Sequence, residues 1–132
     1  MTKSLEDYLE TIAILERREK TARVRDIADR LNVSKPSVHA ALHELENKGL
    51  ISHEHYGPVN LTVNGKSSAG KILKRHGVLK SFLTDVLGVS EVSAEKDACK
   101  MEHTISVETF EKLLSFVETF DRQASGVSKD GR

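Results

Sequence analysis

Residues 23–50 read RVRDIADRLNVSKPSVHAALHELENKGL, and this stretch decides the fold. Apolar residues recur at helical spacing on both sides of a short break at 32–35, which predicts two short helices joined by a tight turn. Ser34 is a good N-cap for the second helix, Pro36 fits its first turn, and Gly49 favours its end. Two helices joined in this way form a helix-turn-helix, whose second helix reads the major groove of DNA.

A short hairpin is expected to follow these two helices. Leu50 and Ile51 begin a strand, residues 56–58 carry a turn signal, and residues 59–63 alternate like a returning strand. Asn64 and Gly65 are expected to close the segment. The pattern therefore predicts a winged helix-turn-helix.

Helical periodicity also flanks this module. The further predicted helices are 4–18, capped by Ser4, and then 66–87, 92–103 and 107–121. The fold class is mainly α with a small β-wing. We divide the chain into a winged helix-turn-helix domain at 1–65, a helical domain at 66–121, and a polar tail at 122–132 that is expected to be disordered.

Length and composition exclude several classes of protein. The 132 residues hold 20 Lys and Arg against 20 Asp and Glu, so the net charge alone does not indicate a nucleic acid or a membrane. The one cysteine, Cys99, allows no intrachain disulfide and favours a reducing compartment, which we take to be the cytoplasm. No apolar run approaches the roughly 20 residues of a membrane span, and no secretory signal is present.

The start of the second helix offers polar and small groups to a nucleic acid. Its hydroxyl, amine and imidazole side chains lie on the side away from the apolar residues, and the helix dipole adds attraction for phosphate. An ordinary helical hairpin with a solvated polar face remains the alternative. The candidate DNA-binding residues are Arg25, Ser34, Lys35, Pro36, Ser37 and His39.

Three separate groups of residues have the donor atoms of a metal site. Spacing places the carboxylates of Asp7 and Glu10 on one helix face. It places the thiolate of Cys99, the carboxylate of Glu102 and the imidazole of His103 on one face of another helix. This mixture of O, N and S donors is unlike a structural zinc finger or a calcium site and favours a first-row transition metal. A helix cap, a solvated carboxylate and a small buried thiol remain the simpler interpretations of single members. The candidate ligands are Asp7 with Glu10, His76, and Cys99 with Glu102 and His103.

Several motifs occur in an order that resembles one known family. They include SLEDYLE at 4–10, RDIADRLNVS at 25–34 and ACKMEH at 98–103. The chain resembles the diphtheria-toxin-repressor and manganese-transport-regulator family of metal-dependent transcription repressors. The resemblance implies a homodimer with a winged helix, a helical dimerisation and metal-sensing domain, and metal as corepressor.

The resemblance also implies a hybrid ligand set. Asp7 and Glu10 resemble ligands of manganese-sensing members, whereas Cys99 resembles the cysteine of iron-sensing members. His76, Glu102 and His103 resemble ligands found in both types; we therefore expect Fe(II) first and Mn(II) as the alternative.

Three positions depart from the family pattern. Lys80 stands where members often place a carboxylate of a second metal site, and Glu95 stands where iron-sensing members have a histidine of that site. Ala40 replaces a glutamine of the recognition helix. These departures put a second metal site in doubt and suggest a different operator.

The sequence thus predicts a metal-responsive repressor of metal-homeostasis genes that binds a palindromic double-stranded operator as a homodimer. Metal would tie the first helix to the dimerisation half and set the two recognition helices about 34 Å apart or a multiple of it. A metal-independent winged-helix regulator that responds to a small molecule or a partner protein is the alternative. An enzyme is not expected, since no zincin motif, nucleophile elbow or phosphate loop is present.

Overall fold

The structure of the protein, a computed structural model, describes residues 1–55 and 57–130. Part of the predicted turn at 56–58 and the last two residues of the predicted tail therefore lie outside the described residues. The elements run in the order α1 (Lys3–Glu19), α2 (Val24–Leu31), α3 (Lys35–Asn47), β1 (Ile51–His53), β2 (Val59–Leu61), α4 (Val63–Ser81), a π-helical turn (Phe82–Val86), α5 (Glu91–Met101) and α6 (Val107–Asp130). This is the mainly helical fold with a small β-wing that the sequence predicts.

The chain forms two compact units, residues 1–73 and 74–132. In the first unit, α1, α2 and α3 surround one apolar core against which the hairpin packs. The hairpin is antiparallel, with Ile51 opposite Leu61 and His53 opposite Val59. The apolar side chains of this core that are fully buried are Leu9, Ile12, Ala22, Ile27, Val38, Leu45 and Val59.

The predicted helix-turn-helix is confirmed in its details. The N–H of Ser37 donates to the Ser34 hydroxyl at 3.2 Å, which makes Ser34 the N-cap of α3. Asn32 ends α2 in the left-handed region with φ 56°, and Gly49 follows α3 with φ 75°. A short polar side chain and glycine are the residues that tolerate this conformation best.

The predicted cap of the first helix is wrong. The Thr2 hydroxyl, rather than that of Ser4, accepts from the N–H of Leu5 at 3.2 Å. Both residues are good N-caps by type, and they lie only two residues apart. Residue type alone therefore does not decide which of them caps the helix.

Gly65 does not close the hairpin, because it lies in the first turn of α4. The Thr62 hydroxyl accepts from the N–H of Gly65 at 3.0 Å and donates to the carbonyl of Gly49 at 2.7 Å. A Cβ at Gly65 would lie 1.9 Å from the carbonyl oxygen of Leu50. Glycine is therefore required here for the close approach of two backbone segments.

The second unit packs the end of α4, the π-helical turn, α5 and α6. Its core contains Leu79, Leu83, Ala94 and Ala98. The predicted end of the last helix at residue 121 is wrong, since α6 continues to Asp130. No proline interrupts this stretch, and a helix continues through polar residues because its bonds are made by the backbone. Among the described residues, none of the helices is long and apolar enough to cross a membrane.

Candidate DNA interface and metal centre

The candidate DNA-binding side chains lie together on the open face of the first unit. The four apolar residues Val38, Ala41, Leu42 and Leu45 turn one side of α3 into the core. The opposite side is left to solvent, which is the geometry that a recognition helix needs. The exposed members are Arg25 on α2, Ser34 at the cap, and Lys35, Pro36, Ser37 and His39 on α3.

The two serines at the start of α3 are hydrogen-bonded to each other. The Ser34 hydroxyl donates to the Ser37 hydroxyl at 2.9 Å while it accepts from the N–H of Ser37. These bonds fix the helix start, where the positive end of the dipole attracts phosphate oxygens.

A cleft of about 570 Å³ lies between the start of α3 and the hairpin. Its lining carries the cations Arg23, Arg25 and Lys35, and the imidazoles His39 and His53 stack with their ring centroids 6.3 Å apart. His55 and Gly57 complete the wing side of the cleft. This arrangement provides a positively charged concave surface beside the recognition helix.

Arg23, His53 and His55 extend the cleft beyond the six residues that the sequence predicts for DNA binding. The signal that could have identified them is their position at the predicted start of α2 and near the tip of the predicted wing. Winged helices contact nucleic acid with elements beside the recognition helix, so basic and imidazole residues there belong to the same candidate surface.

In the second unit, a fully buried carboxylate faces two imidazole rings. The Oε2 atom of Glu102 lies 3.0 Å from Nδ1 of His76, and its Oε1 atom lies 3.2 Å from Nε2 of His103. The side chain of Glu102 is 0% exposed and that of His103 is 1% exposed. The Arg75 guanidinium donates to the carbonyl of Glu102 at 2.9 Å, which fixes the backbone at the end of α5.

This cluster has the donor chemistry of a first-row metal site. A carboxylate and an imidazole lone pair repel each other at 3.0 Å unless a proton or a cation lies between them. An imidazole nitrogen and a carboxylate oxygen are ligands that iron, manganese and zinc all accept. The residues present therefore fit a metal ion of the kind that the sequence predicts.

The second ring nitrogen of His76 also has a carboxylate partner. Its Nε2 atom lies 2.8 Å from Oε2 of Glu95, and the other oxygen of Glu95 lies 3.3 Å from Nζ of Lys80. Burial raises the pKa of Glu95, but hydrogen bonds and charge interactions with His76 and Lys80 outweigh it, so the net pKa is lowered. Hydrogen bonds that the Lys80 ammonium donates to Glu95 and Glu91 raise the pKa of Lys80.

The other predicted ligands lie on α5 and α1. Cys99 is on α5, with an exposed side chain. Asp7 and Glu10 are half-buried on α1, in the first unit. Their assignment as ligands stays a prediction, as does that of the three clustered residues.

Comparison with known proteins assigns both units to one family. The model of the iron dependent repressor, N-terminal DNA binding domain, matches residues 1–59. The model of the iron dependent repressor, metal binding and dimerisation domain, matches residues 62–129.

Curated relatives agree with these matches. The transcriptional regulator MntR of Escherichia coli is 40% identical over 114 residues, which cover 86% of this chain and 73% of the relative. An uncharacterized HTH-type transcriptional regulator of Methanocaldococcus jannaschii is 36% identical over 121 residues, which cover 91% of this chain and 97% of the relative.

Solved structures share the fold. The manganese regulator SloR superposes with a TM-score of 0.76 at 28% identity, over 89% of this chain and 55% of that one. The IdeR protein of T. acidophilum superposes with a TM-score of 0.74 at 25% identity, over 83% of this chain and 52% of that one. The chain spans about half the length of these two solved proteins.

Proposed function

The chain belongs to the family of iron-dependent repressors, and from this premise we infer that it is a metal-dependent DNA-binding transcriptional repressor that acts as a homodimer. The observation that carries this function is the buried Glu102 carboxylate between two imidazoles, in a chain whose other unit presents an open recognition helix. We take the regulated genes to be those of metal homeostasis. Because its ligand is chromosomal DNA, we place the protein in the cytoplasm.

The metal site that we propose is centred on His76, Glu102 and His103. Their nitrogen and oxygen atoms would hold a divalent cation, whose positive charge would offset the negative charge of the buried carboxylate. Asp7, Glu10 and Cys99 are proposed as further ligands on the ground of the resemblance. A metal held by this cluster changes DNA affinity only if the state that binds DNA also binds metal more tightly.

Fe(II) and Mn(II) are the two candidate metals. SloR is described as a manganese regulator, whereas the family models carry the name of iron. Fe(II) is our first choice because thiolate suits it better than Mn(II), and this choice depends on Cys99. Cys99→Ser is the variant that separates the two metals: loss of Fe(II) binding with Mn(II) binding retained supports Fe(II).

The DNA site that we propose is the start of α3 together with the cleft beside the hairpin. We propose that Lys35, Arg23 and Arg25 provide charge for backbone phosphates and that the exposed Ser37 and His39 face base edges. A homodimer presents two such surfaces, which accounts for a palindromic operator.

A DNA-binding titration tests the proposed function. Fluorescence anisotropy on an operator selected from a random library measures affinity with Fe(II) under anoxic conditions, with Mn(II), and with chelator, at one fixed salt concentration. The proposal expects tighter binding with metal and reversal by chelator. Equal affinity with and without metal would identify a metal-independent winged-helix regulator instead.

A further inference from the structure

Glu95 lies outside the proposed ligands and yet contacts one of them. Its Oε2 atom is 2.8 Å from Nε2 of His76, the ring nitrogen opposite the one that faces Glu102. Its Oε1 atom is 3.3 Å from Nζ of Lys80, which also lies 3.4 Å from Glu91. Both oxygens of Glu95 therefore have a partner, and the plane of its carboxylate is fixed from two sides.

We propose that Glu95 is a positioning residue for metal binding: it accepts the Nε2–H of His76, and Lys80 holds it in place to do so. This inference rests on the proposed function, because it assumes that His76 binds metal. A histidine that binds metal through one nitrogen commonly donates its other N–H to a carboxylate, which sets the tautomer and the direction of the ring. With the proton on Nε2, Nδ1 is the nitrogen left to bind the metal beside Glu102.

The geometry assigns Glu95 a role outside the ligand set. The two nitrogens of an imidazole point in different directions, so a carboxylate hydrogen-bonded at Nε2 lies on the far side of the ring from an ion bound at Nδ1. The Lys80 ammonium beside Glu95 also disfavours a second cation there, since like charges repel. We therefore expect one metal ion at the His76 cluster, with Glu95 bonded to His76 and Lys80.

Exposure separates this role from a structural one. The side chain of Glu95 is 54% exposed, whereas that of Glu102 is fully buried. Partly exposed ion pairs contribute little to folding stability. Substitution at Glu95 is therefore expected to weaken metal binding while the thermal unfolding of the metal-free protein stays near that of the wild type.

The first test measures Mn(II) affinity by competition with a fluorescent chelator, together with Mn(II) stoichiometry and the unfolding midpoint of the metal-free protein. Glu95→Ala is expected to weaken Mn(II) binding about 10- to 100-fold. Glu95→Gln keeps an oxygen that can accept from Nε2–H, and it should recover part of that loss. Asp97→Asn removes an exposed carboxylate from the same helix and is the matched control, with affinity unchanged.

Lys80 provides an independent arm of the test. If Lys80 acted only as a nearby positive charge, Lys80→Met would tighten cation binding. If Lys80 holds Glu95 in place, Lys80→Met weakens Mn(II) binding by about two- to fivefold, the effect of losing a partly exposed ion pair. Lys80→Arg, which keeps a cation at this position, should restore the affinity.

The outcomes distinguish this inference from the proposed function. A wild-type protein that binds no metal overturns both. A wild-type protein that binds one Mn(II) per subunit, with unchanged affinity in Glu95→Ala and Glu95→Gln, overturns the positioning role alone. Loss of affinity accompanied by an equal loss in Asp97→Asn would show a general charge effect and would also overturn it.

Discussion

The proposed DNA-binding surface and the proposed metal cluster use their polar side chains in opposite ways. At the start of α3, Lys35 and His39 are exposed and stand apart from the core. Around Glu102, the polar atoms face one another inside the protein, and the carboxylate has 0% exposure. The first surface is accessible to a large partner from solvent, whereas the second is enclosed and is accessible only to a small ion.

This difference determines what a substitution does. A side chain on the open surface that does not cap a helix can be removed with little effect on folding, and the loss falls on DNA binding. A side chain in the buried cluster leaves its partners inside the protein, so its removal affects both metal binding and the local structure. The predictions that follow use this contrast.

The largest effect is expected from Glu102→Ala. This change removes the carboxylate that faces both rings, so metal should no longer raise DNA affinity. A coupling of about 2–3 kcal/mol corresponds to a loss of about 30- to 150-fold in the metal-stimulated affinity. Anisotropy with Mn(II) and with chelator measures it, and Glu108→Ala, an exposed carboxylate at the start of α6, is the control. A variant that still responds to metal would remove Glu102 from the site.

Gly65→Ala is expected to damage the DNA-binding unit without touching its DNA-facing residues. The new Cβ would meet the carbonyl of Leu50, and relief of that overlap should lower the free energy of unfolding by about 1–3 kcal/mol. Gly70→Ala, where a Cβ meets nothing within 4 Å, should raise it by about 0.5–1 kcal/mol. Urea unfolding followed by circular dichroism compares the two. Equal stability of the two variants would contradict the close approach.

Ser34→Ala tests whether a residue that we propose to face DNA also has a structural role. Loss of the N-cap bond to Ser37 should lower the free energy of unfolding by about 0.5–2 kcal/mol. Ser34→Asp keeps a cap acceptor and should retain stability, while its negative charge weakens DNA binding. Thermal unfolding and anisotropy together separate the two effects. Unchanged stability in Ser34→Ala would show that the cap contributes nothing.

Lys35→Ala should give the smallest effect on the protein itself and a uniform effect on DNA. If Lys35 contacts phosphate, affinity falls alike for all sequences and the salt slope decreases by about one. Lys48→Ala, at the far end of α3, is the matched control and should leave the slope unchanged. A loss confined to one base position would make Lys35 a base reader instead.

Local features of the sequence predicted the DNA-binding unit well. The periodicity of Val38, Leu42 and Leu45 fixed which side of α3 is buried, and Ser34 marked its first turn, because both are properties of neighbouring residues. The choice between Thr2 and Ser4 as a cap, and the burial of Gly65 in α4, depend on contacts that local pattern does not contain.

The sequence predicted which residues belong to the proposed metal cluster, but it did not predict how they come together. Spacing placed Glu102 and His103 together and left His76 as a separate candidate, but the convergence of α4 and α5 is a tertiary property. For the same reason the bonds of Glu95 to His76 and Lys80 were not foreseen, although both positions had been noted as departures from the family pattern. Residues that act through another residue carry no motif of their own.

The most direct test of the account is the affinity of the wild-type protein for its selected operator, measured by anisotropy with and without metal at one salt concentration. The account predicts that Fe(II) or Mn(II) tightens binding by about 30- to 150-fold and that chelator reverses it. Equally tight binding in the presence of chelator would contradict the central claim and would leave Glu102 and its two histidines as a structural cluster.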